Sequence, residues 1–178
     1  MSTNQIPNSA FRIPNSIPHP FPPVADDGCT TLILGSFPSV KSRENAFYYG
    51  HPQNRFWRVL AAVFGETVPA DIPSKTALLL RHGLALWDVI AACEITGSSD
   101  ASVRNAVPVD IAKVTSVAPI TRVICNGALA AKLYRQHLQP LTGIEAITAP
   151  STSPANAAWS LERLTEAWGA MLKNKEDA

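Results

Sequence analysis

The sequence has few cysteines and no long apolar run. Its three cysteines, Cys29, Cys93 and Cys125, show no C-x-x-C spacing, which argues against a disulfide framework, a zinc ribbon and a four-cysteine cluster. No stretch of about 18 apolar residues occurs, and the first residues lack the basic and apolar segments of a signal peptide. We therefore expect a cytoplasmic protein that uses no metal or other cofactor and contacts no membrane.

An excess of charge of one sign is lacking as well. The 178 residues carry a formal net charge of +1, and 46% of them are hydrophobic. A nearly neutral chain is not a polybasic nucleic-acid coat, although a local basic patch can still exist on it. This length suits one compact domain of roughly 150 residues with an extension. We expect a monomer that buries enough core to fold without metals or disulfides.

The N-terminal 28 residues are rich in proline and poor in charge. They hold six prolines, and proline removes backbone donors and fixes φ, so neither a helix nor a central strand is expected there. The tetrapeptide at 6–9 recurs at 13–16, but two short copies are too few for a repeat architecture. We predict an extended or partly disordered arm over residues 1–28 and one domain over residues 29–174. If the arm wraps the domain, its anchors would be Phe11, Ile13, Ile17 and Phe21.

Beyond the arm, apolar runs alternate with segments of helical periodicity. The predicted strands cover residues 31–34, 84–90, 122–125 and 143–148. The predicted helices cover residues 55–64, 74–83 with Ser74 as the cap, 110–117, 127–137, and a last segment that carries Leu161, Leu164, Trp168, Met171 and Leu172. This alternation predicts an α/β fold with a parallel sheet covered on both faces, whose ligands bind beyond the carboxyl ends of the strands. Functional residues are therefore expected in the loops after Leu34, Trp87, Cys125 and Thr148.

Residues 47–57 have an unusual density of functional side chains for a loop. The segment reads Phe-Tyr-Tyr-Gly-His-Pro-Gln-Asn-Arg-Phe-Trp. Aromatic and polar groups together at the ligand-binding edge of a sheet suggest a pocket that stacks a flat, polar ring such as a nucleobase. Residues 41–58 also contain four basic side chains, Lys41, Arg43, Arg55 and Arg58, against one acidic side chain, Glu44. They could form a patch that faces phosphate.

Structural explanations stay open for several residues of this loop. Asn54 directly precedes a helix, where an N-cap contributes about 1 kcal/mol. The others could be packing residues rather than ligand contacts, namely His51 beside Pro52, Phe56 and Trp57 in the core, and Tyr48 or Tyr49 at the sheet edge.

Three motifs carry a resemblance to a known family. They are Leu34-Gly35-Ser36-Phe37-Pro38-Ser39, the segment at 47–57, and Ser151-Thr152-Ser153-Pro154-Ala155-Asn156. Together they resemble the uracil-DNA glycosylase superfamily, most closely its hypoxanthine-DNA glycosylase (DNA-deoxyinosine glycosylase) branch, over about residues 29–172. The resemblance implies a three-layer α/β/α sandwich around a short, mostly parallel four-stranded sheet. It also implies that a deaminated base in DNA is flipped out and its N-glycosidic bond hydrolysed, as in base-excision repair.

For catalysis, the resemblance points to Asn54 as the residue that places the attacking water. The uracil-removing branches carry an Asp or Asn for this task at the third position of the first motif, where this chain has Phe37. Because an amide does not titrate, we expect Asn54 to fix the water with its amide oxygen. The Ser36 hydroxyl and His51 are expected to stabilise the departing base, with His51 acting as a donor or as an acid. Ser151 replaces the leading histidine of the third motif, so the usual contact to uracil O2 is not expected.

The base pocket is predicted at the ends of the strands. Asp88 lies where the resemblance places a base-reading asparagine, and a carboxylate there can accept from N1–H of hypoxanthine and repel bases that present only acceptors. Its alternative role is a cap or an ion pair with Arg or Lys. Asn126 is either a second polar contact or part of an Asn-Gly turn. The predicted pocket comprises Gly35, Phe37, Pro38, Tyr48, Tyr49, Asp88 and Asn126.

DNA contacts are predicted around this pocket. The residues are Ser39, Lys41, Arg43, Arg55, Ser151, Ser153, Pro154, Ala155 and Asn156. Pro154 and Ala155 would enter the groove while nearby backbone N–H groups hold phosphate at a helix start. The alternative is that Ser153 and Pro154 only cap and begin the next helix.

Two other functions fit the same residues. One is a mismatch-type uracil- or xanthine-DNA glycosylase, which excision tests on duplexes with each deaminated base would distinguish. The other is a non-catalytic nucleic-acid- or protein-binding module with the proline-rich arm as a docking peptide. Binding of inosine DNA without formation of abasic sites would favour the module.

Overall fold

The computed structural model describes residues 14–173, which form seven strands and seven α-helices. The strands are β1 (Ile17–Pro18), β2 (Thr31–Gly35), β3 (Leu84–Asp88), β4 (Ile90–Glu94), β5 (Arg104–Pro108), β6 (Arg122–Asn126) and β7 (Ala146–Ala149). The helices are α1 (Val40–Asn45), α2 (Phe56–Phe64), α3 (Ile72–Arg81), α4 (Ala112–Thr115), α5 (Ala128–Leu133), α6 (Gln139–Thr142) and α7 (Leu161–Lys173).

A parallel sheet with the strand order β3-β2-β6-β7 forms the centre of the fold. Every residue of β2 and β3 is buried, as is typical of parallel strands covered on both faces. The register pairs Gly35 with Asp88 and Asn126 with Ala149. The carboxyl ends of the four strands therefore meet at one edge. The predicted α/β class and the four-stranded sheet are confirmed.

Helices α2 and α7 show why their sequences are helical. The apolar positions of α2 recur at i, i+3, i+4 and i+7 and are buried, and α7 buries Leu164, Trp168 and Leu172. The ring centroids of Phe56 and Trp168 lie 6.0 Å apart between the two helices. Gly65 ends α2 in the left-handed conformation that glycine favours, with φ at 65°. Within residues 14–173, no helix has both the length and the apolar character needed to cross a bilayer.

The predicted strand over residues 84–90 is confirmed over residues 84–88 and wrong beyond them. The first sheet ends at Asp88, and Ile90 begins β4 of a separate antiparallel sheet with the order β1-β4-β5. The Val89 and Ile90 N–H groups donate to the carbonyls of Gly35 and Ser36, at 2.8 and 3.1 Å. A continuous apolar run carries no sign of where one buried strand ends and the next begins, because its periodicity does not change.

Two helix boundaries also differ from the prediction. Asp71, not Ser74, is the N-cap of α3, and its carboxylate accepts from the Ser74 N–H at 2.8 Å. The helix expected to end near His137 continues through a π-helical turn at Tyr134–Leu138 and through α6, and ends at Gly143. Because Pro140 stands at the start of α6, where its missing N–H costs little, proline does not mark an end here. α4 and β7 are shorter than predicted.

Ser153 and Pro154 do not begin the last helix. α7 begins at Leu161, and the Ser160 hydroxyl accepts from the Arg163 N–H at 3.2 Å. The expected placement of phosphate at a helix start beside Ser153 is therefore wrong. Residues 151–156 form a loop whose internal hydrogen bonds are described below.

The segment before β2 packs on the domain along its described part. Val24 forms an isolated bridge with Leu86, and the Tyr48 hydroxyl donates to the Pro22 carbonyl at 2.7 Å. β1 pairs with β4 in the second sheet. Of the four predicted anchors, Phe21 is buried and Ile17 is half-buried, whereas Phe11 and Ile13 lie outside the described residues.

The three cysteines are buried and free of disulfides, as expected. Burial raises the pKa of Cys125 to about 12 and the pKa values of Cys29 and Cys93 to about 11. They are therefore protonated thiols at neutral pH and poor nucleophiles.

Candidate active site

A cleft of about 1170 Å³ opens at the carboxyl edge of the parallel sheet, where such folds bind their ligands. The segments that follow β2, β4, β6 and β7 contribute to its lining, together with Asp88 at the end of β3. Of the predicted site residues, the lining includes Ser36, His51 and Asn54, Gly35, Phe37, Pro38, Tyr48, Tyr49, Asp88 and Asn126, and Ser39, Ser151, Ser153, Pro154, Ala155 and Asn156. Lys41, Arg43 and Arg55 do not line it.

One side of the cleft is a chain of neutral hydrogen bonds that joins three loops. The Asn126 side-chain N–H donates to Thr152 Oγ1 at 3.0 Å, and the Thr152 hydroxyl donates to Asn54 Oδ1 at 2.9 Å. The Thr152 N–H donates back to Asn126 Oδ1 at 3.1 Å. Thr152 is completely buried, so its partners on both sides are held by a residue that cannot move into solvent. We call Asn54, Thr152 and Asn126 the amide wall.

The amide oxygen of Asn54 has no free lone pair for a water. It accepts from the Thr152 hydroxyl at 2.9 Å and from the Phe56 N–H at 3.0 Å, and a carbonyl oxygen has two lone pairs. The expectation that this oxygen holds the attacking water is therefore wrong. The side-chain NH₂ of Asn54 donates to no group within residues 14–173, so it is the end of the amide that remains for a ligand.

Asn54 also caps α2, but it stands one residue before the N-cap position instead of at it, because α2 begins at Phe56. Arg55 occupies the N-cap position and makes no side-chain capping bond, whereas Asn54 Oδ1 accepts from the N–H of Phe56. Capping and a place in the cleft therefore coexist in one side chain.

The opposite side of the cleft holds a buried ionisable pair, which we call the carboxylate wall. Asp88 is 3% exposed, and its Oδ2 lies 2.7 Å from His19 Nε2. The predicted alternatives for Asp88, a cap or an Arg or Lys partner, are wrong, because its partner is a histidine from the proline-rich segment.

Gly35 is required where it stands because the carboxylate wall approaches its backbone. A Cβ on Gly35 would lie 2.4 Å from Asp88 Oδ1 and 2.9 Å from the Tyr49 hydroxyl oxygen, distances that side chains do not tolerate. The absence of a side chain at Gly35 lets the Asp88 carboxylate and the Tyr49 hydroxyl reach the floor of the cleft together.

The Tyr49 hydroxyl is buried and has no hydrogen-bond partner within the described residues. Burial raises the pKa of Tyr49, the Asp88 charge raises it further, and the Asn126 amide nearby acts in the opposite direction. Tyr49 adopts a positive φ of 52°, and its ring stacks on Phe56 with centroids 4.1 Å apart. A protonated, unpaired hydroxyl in a polar cleft is a donor that is available to a ligand.

Ser36 and His51 line the cleft, but each makes a hydrogen bond within the protein that limits which of its polar atoms can contact a ligand. The Ser36 hydroxyl donates to Asp100 Oδ1 at 3.0 Å, so it is not free to donate to a departing base. Desolvation at the cleft raises the pKa of Asp100, the Ser36 hydrogen bond lowers it and the Asp88 charge raises it. His51 Nδ1 accepts from the Gln53 N–H at 3.1 Å, which leaves Nε2 as the nitrogen that can carry a proton to a ligand.

Arg55 is committed to the protein interior rather than to phosphate. Its guanidinium donates to the carbonyls of Thr152 at 3.4 Å, Ser153 at 2.8 Å and Asn156 at 3.1 Å, and also to that of Trp159. Four of its five N–H groups are thus engaged. The predicted phosphate contact of Arg55 is wrong, because these carbonyls occupy the donors that a phosphate would need.

The other predicted basic contacts also have protein partners. Arg43 donates to the Gly97 carbonyl at 3.3 Å and stacks over Phe37. Lys41 forms an exposed ion pair with Glu44 at 3.0 Å, which is a weak interaction in water. Ser39 caps α1 by accepting from the Ser42 N–H at 3.2 Å. Of these residues, Lys41 alone is exposed enough to exchange its partner for a phosphate.

Residues 151–156 form a compact loop, which we call the rim loop. The hydroxyl oxygens of Ser151 and Ser153 accept from the N–H groups of Ser153 and Ala155, both at 3.2 Å. The Asn156 side chain donates to the Ser151 carbonyl at 3.0 Å. Pro154 and Ala155 are exposed at the tip of the loop. The Arg55 guanidinium donates to the backbone carbonyls of the loop.

Sequence reasoning missed His19 and Thr152. Thr152 lies within the third motif between two serines, and no local pattern marks it as the buried one of the three. His19 stands alone among prolines, and no spacing connects it with Asp88, 69 positions further on. Within residues 14–173, no group of three or more His, Cys, Asp or Glu side chains could hold a metal ion.

Known proteins are similar to this chain in both sequence and fold. The family model described as the uracil DNA glycosylase superfamily matches residues 22–172. Over 155 residues, 86% of this chain and 97% of the relative, the chain is 34% identical to a hypoxanthine DNA glycosylase of Methanosarcina acetivorans. It is 30% identical to a hypoxanthine DNA glycosylase of Methanosarcina barkeri over 154 residues, 86% of this chain and 96% of the relative. A solution NMR structure from M. acetivorans, described as a candidate uracil DNA glycosylase, has a TM-score of 0.74 and 33% identity over 86% of this chain and 94% of its own.

Proposed function

The chain belongs to the uracil DNA glycosylase superfamily, and we propose that it excises hypoxanthine from DNA by hydrolysing the N-glycosidic bond of deoxyinosine, which leaves an abasic site. The observation that carries the proposal is the Asp88 carboxylate, buried at the end of β3 with one oxygen bound by His19 and the other beside Gly35. Two relatives over most of their length are named hypoxanthine DNA glycosylases, which supports the same substrate.

The carboxylate selects by what it can accept. An ionised carboxylate is an acceptor only, so it matches the N1–H of hypoxanthine and opposes the unprotonated N1 of adenine. Deamination of adenine creates this difference, because it turns a ring acceptor into a donor. A base that places an acceptor against the carboxylate in a desolvated site is rejected strongly, since the carboxylate oxygen and the acceptor of the base are both left without a donor.

The amide wall supplies the water. The target bond is inaccessible inside a duplex, so the nucleotide is flipped into the cleft, where its base is read on its pairing edge. The Asn54 NH₂ has no partner among residues 14–173. It donates to the oxygen of the water and leaves a lone pair directed at C1′ of the sugar. Thr152 and Asn126 fix the amide in this orientation, and such positioning can lower a barrier by several kcal/mol.

Two donors can stabilise the departing base. Breaking the bond transfers its electron pair to the purine while the sugar acquires oxocarbenium character. The Tyr49 hydroxyl has no partner within the described residues, and His51 can donate from Nε2 because its Nδ1 accepts from the Gln53 N–H. Preorganised donors of this kind act most strongly where charge develops in a cleft that excludes water. After the attack, the oxygen of the water stays on C1′ as a hydroxyl and one proton of the water is released to solvent. The purine anion takes up one proton from solvent and leaves as the neutral base.

The rim loop is suited to entering the DNA. Pro154 and Ala155 are small, exposed and supported by the Arg55 contacts. Insertion of such groups into the base stack offsets part of the few kcal/mol needed to unstack a nucleotide. Lys41 and Arg58, both exposed, are the basic side chains near the cleft that could approach phosphate.

Uracil is the second candidate substrate. Its ring N3–H and neighbouring carbonyl present the same donor and acceptor as N1–H and O6 of hypoxanthine, so Asp88 can accept from either base. Ser151 stands where the uracil-removing branches carry a histidine for O2, and this argues for the purine over the pyrimidine.

One experiment tests the function. Purified protein is incubated with labelled duplexes that differ in a single base, hypoxanthine, uracil, xanthine or adenine, and abasic sites are then cleaved with alkali. We expect cleavage at hypoxanthine, slower cleavage at uracil and none at adenine. Cleavage of uracil alone would overturn the substrate assignment, and binding of inosine DNA with no cleavage at any base would show a binding module instead of an enzyme.

A further inference from the structure

His19 lies in front of the segment that the superfamily shares, yet it contacts the centre of the cleft. The family match begins at residue 22. His19 directly follows β1, and its Nε2 lies 2.7 Å from Asp88 Oδ2. The side chains of His19 and Asp88 are 6% and 5% exposed. Within residues 14–173, no other side chain makes a hydrogen bond to the Asp88 carboxylate.

The surroundings of the imidazole fix which nitrogen donates. The Phe21 N–H donates to His19 Nδ1 at 3.5 Å, so Nδ1 carries a lone pair and Nε2 carries the proton that is donated to Asp88. The backbone N–H of His19 donates to the Ala91 carbonyl at 2.7 Å. The ring packs edge-on against Phe21 and Phe37, with centroids 4.7 and 6.0 Å apart. Both the position and the tautomer of the ring are therefore set by the protein.

We propose that His19 is a positioning residue for base selection, which makes the proline-rich segment part of the base pocket. Its Nε2–H holds Asp88 Oδ2, so that Oδ1 alone faces the base as an acceptor beside Gly35. This inference rests on the proposed reading of hypoxanthine by Asp88 and adds the hydrogen bond that keeps the carboxylate oriented.

Loss of the imidazole donor should change what Asp88 selects. Without the Nε2–H donor, no side chain of the described residues fixes which oxygen of Asp88 faces the base. The acceptor is then no longer held in line with the N1–H of hypoxanthine, so hypoxanthine loses part of its advantage over adenine. His19 is therefore expected to affect the discrimination between hypoxanthine and adenine more than it affects the excision chemistry.

The test measures binding and excision side by side. Binding is measured by fluorescence anisotropy on duplexes with hypoxanthine or adenine on a 2′-fluorinated sugar that resists hydrolysis, and excision is measured as the single-turnover rate on hypoxanthine. His19→Phe keeps a ring in the aromatic cluster and removes the donor, whereas the amide nitrogen of His19→Gln reaches the place of Nε2. We expect His19→Phe to lower the hypoxanthine-to-adenine affinity ratio about tenfold or more, in line with the loss of one buried charged hydrogen bond, and His19→Gln to restore it to within about threefold.

Val24→Ala is the matched control, because the buried Val24 side chain anchors the same segment in the hydrophobic core and makes no hydrogen bond to Asp88. It should lower the melting temperature and leave the affinity ratio unchanged. An unchanged ratio in a folded His19→Phe protein, or an equal loss in Val24→Ala, would overturn the role of His19. If the wild-type protein binds hypoxanthine selectively but excises nothing, the proposed activity fails while the affinity ratios still decide on His19. If the wild-type protein shows no selectivity, both proposals are overturned.

Discussion

The amide wall and the carboxylate wall face the same cleft but differ in charge and in the way they are held. The amide wall is neutral. Its three side chains come from the loop before α2, the last residue of β6 and the loop after β7, and hydrogen bonds of 2.9 to 3.1 Å join them. The carboxylate wall carries an ionisable pair at 2.7 Å that is almost completely buried. One wall thus offers donors that can hold a water, and the other offers an acceptor that can discriminate between bases.

This difference indicates a division of labour. A carboxylate close to the attacked sugar would favour the oxocarbenium-like state of any nucleotide, damaged or not. Placed instead at the end of β3 with its second oxygen bound by His19, Asp88 is suited to reading the base. In the mechanism that we propose, the chemistry depends on the amide wall, which carries no charge and acts by positioning the water.

The largest effect is expected for Asn54→Ala, which removes the end of the amide wall that holds the water. Excision of hypoxanthine should fall by about 100-fold or more, since positioning contributes several kcal/mol to such steps. The loss of its cap on Phe56 should cost about 1 kcal/mol of stability. Single-turnover rates and thermal unfolding separate the two effects, and a rate near that of wild type would exclude Asn54 from the reaction.

Asn54→Asp sharpens that result. The aspartate keeps acceptors for the Thr152 hydroxyl and the Phe56 N–H but has no NH₂, so we expect its stability to stay near that of wild type while its rate falls as far as in Asn54→Ala. Retained activity would mean that an oxygen at this position handles the water, contrary to the arrangement of the hydrogen bonds in the structure.

Thr152→Val is expected to have the next largest effect, because it keeps the shape of the residue but breaks the chain between Asn126 and Asn54. Asn54 Oδ1 and the Asn126 NH₂, both partly buried, each lose one hydrogen bond, which costs about 1 kcal/mol each, and the rate should fall about tenfold. Thr152→Ser is the matched control and keeps the hydroxyl. Unfolding midpoints in denaturant and single-turnover rates test this, and equal behaviour of the two variants would contradict a role for the hydrogen-bond chain.

Asp88→Asn should change the choice of base more than the rate. The amide can accept from His19 through its oxygen and turn its NH₂ towards the base, where it would favour an acceptor. We expect the affinity for hypoxanthine over adenine to fall about tenfold. Anisotropy on the fluorinated duplexes checks this, with thermal unfolding to confirm the fold, and an unchanged ratio in a stable protein would remove Asp88 from the pocket.

Arg55→Lys should loosen the rim loop, since an ammonium group cannot donate to four carbonyls in a plane. We expect about a fivefold slower excision from duplex and a smaller loss on single strands, because a looser loop unstacks the base less well. Arg81→Lys is the matched control at a surface ion pair with Glu66 outside the cleft. Equal losses on duplex and single strands would contradict a role of Arg55 in holding the loop.

The smallest effect is expected for the double replacement Pro154→Gly and Ala155→Gly at the tip of the rim loop. Two glycines remove the groups that enter the stack, so excision from duplex should fall about threefold while excision from single strands stays nearly constant. Rates on matched duplex and single-stranded substrates measure this. Losses that follow a lowered melting temperature instead would indicate that the tip only shapes the loop.

The sequence predicted the parts of the molecule that local patterns determine. The apolar run at β2 and the stripe of α2 place the strand and the helix, and the motif residues at the strand ends do line one cleft. The register that pairs Gly35 with Asp88 was not predicted, because strands that are buried on both faces have no alternation that would indicate it.

The partners of the site residues could not be predicted, because they depend on contacts distant in sequence. Arg55 is a basic residue in a polar loop by any local criterion, and only the folding of residues 152–159 around it turns its donors inward. By its local sequence Asp88 could be a cap at the surface, yet its hydrogen-bond partner is a histidine 69 positions earlier. A similar reason applies to Ser153 and Pro154. Their sequence is typical of a helix start, but the Ser153 hydroxyl accepts from the Ala155 N–H within a loop.

One comparison tests the division of labour between the walls most directly. Wild type, Asn54→Ala and Asp88→Asn are measured together for the hypoxanthine excision rate and for the affinity ratio of hypoxanthine to adenine on uncleavable duplexes. We expect Asn54→Ala to lose the rate and keep the ratio, and Asp88→Asn to lose the ratio by a larger factor than the rate. If both variants lose rate and ratio in the same proportion, the two walls do not have separate tasks and the account is wrong.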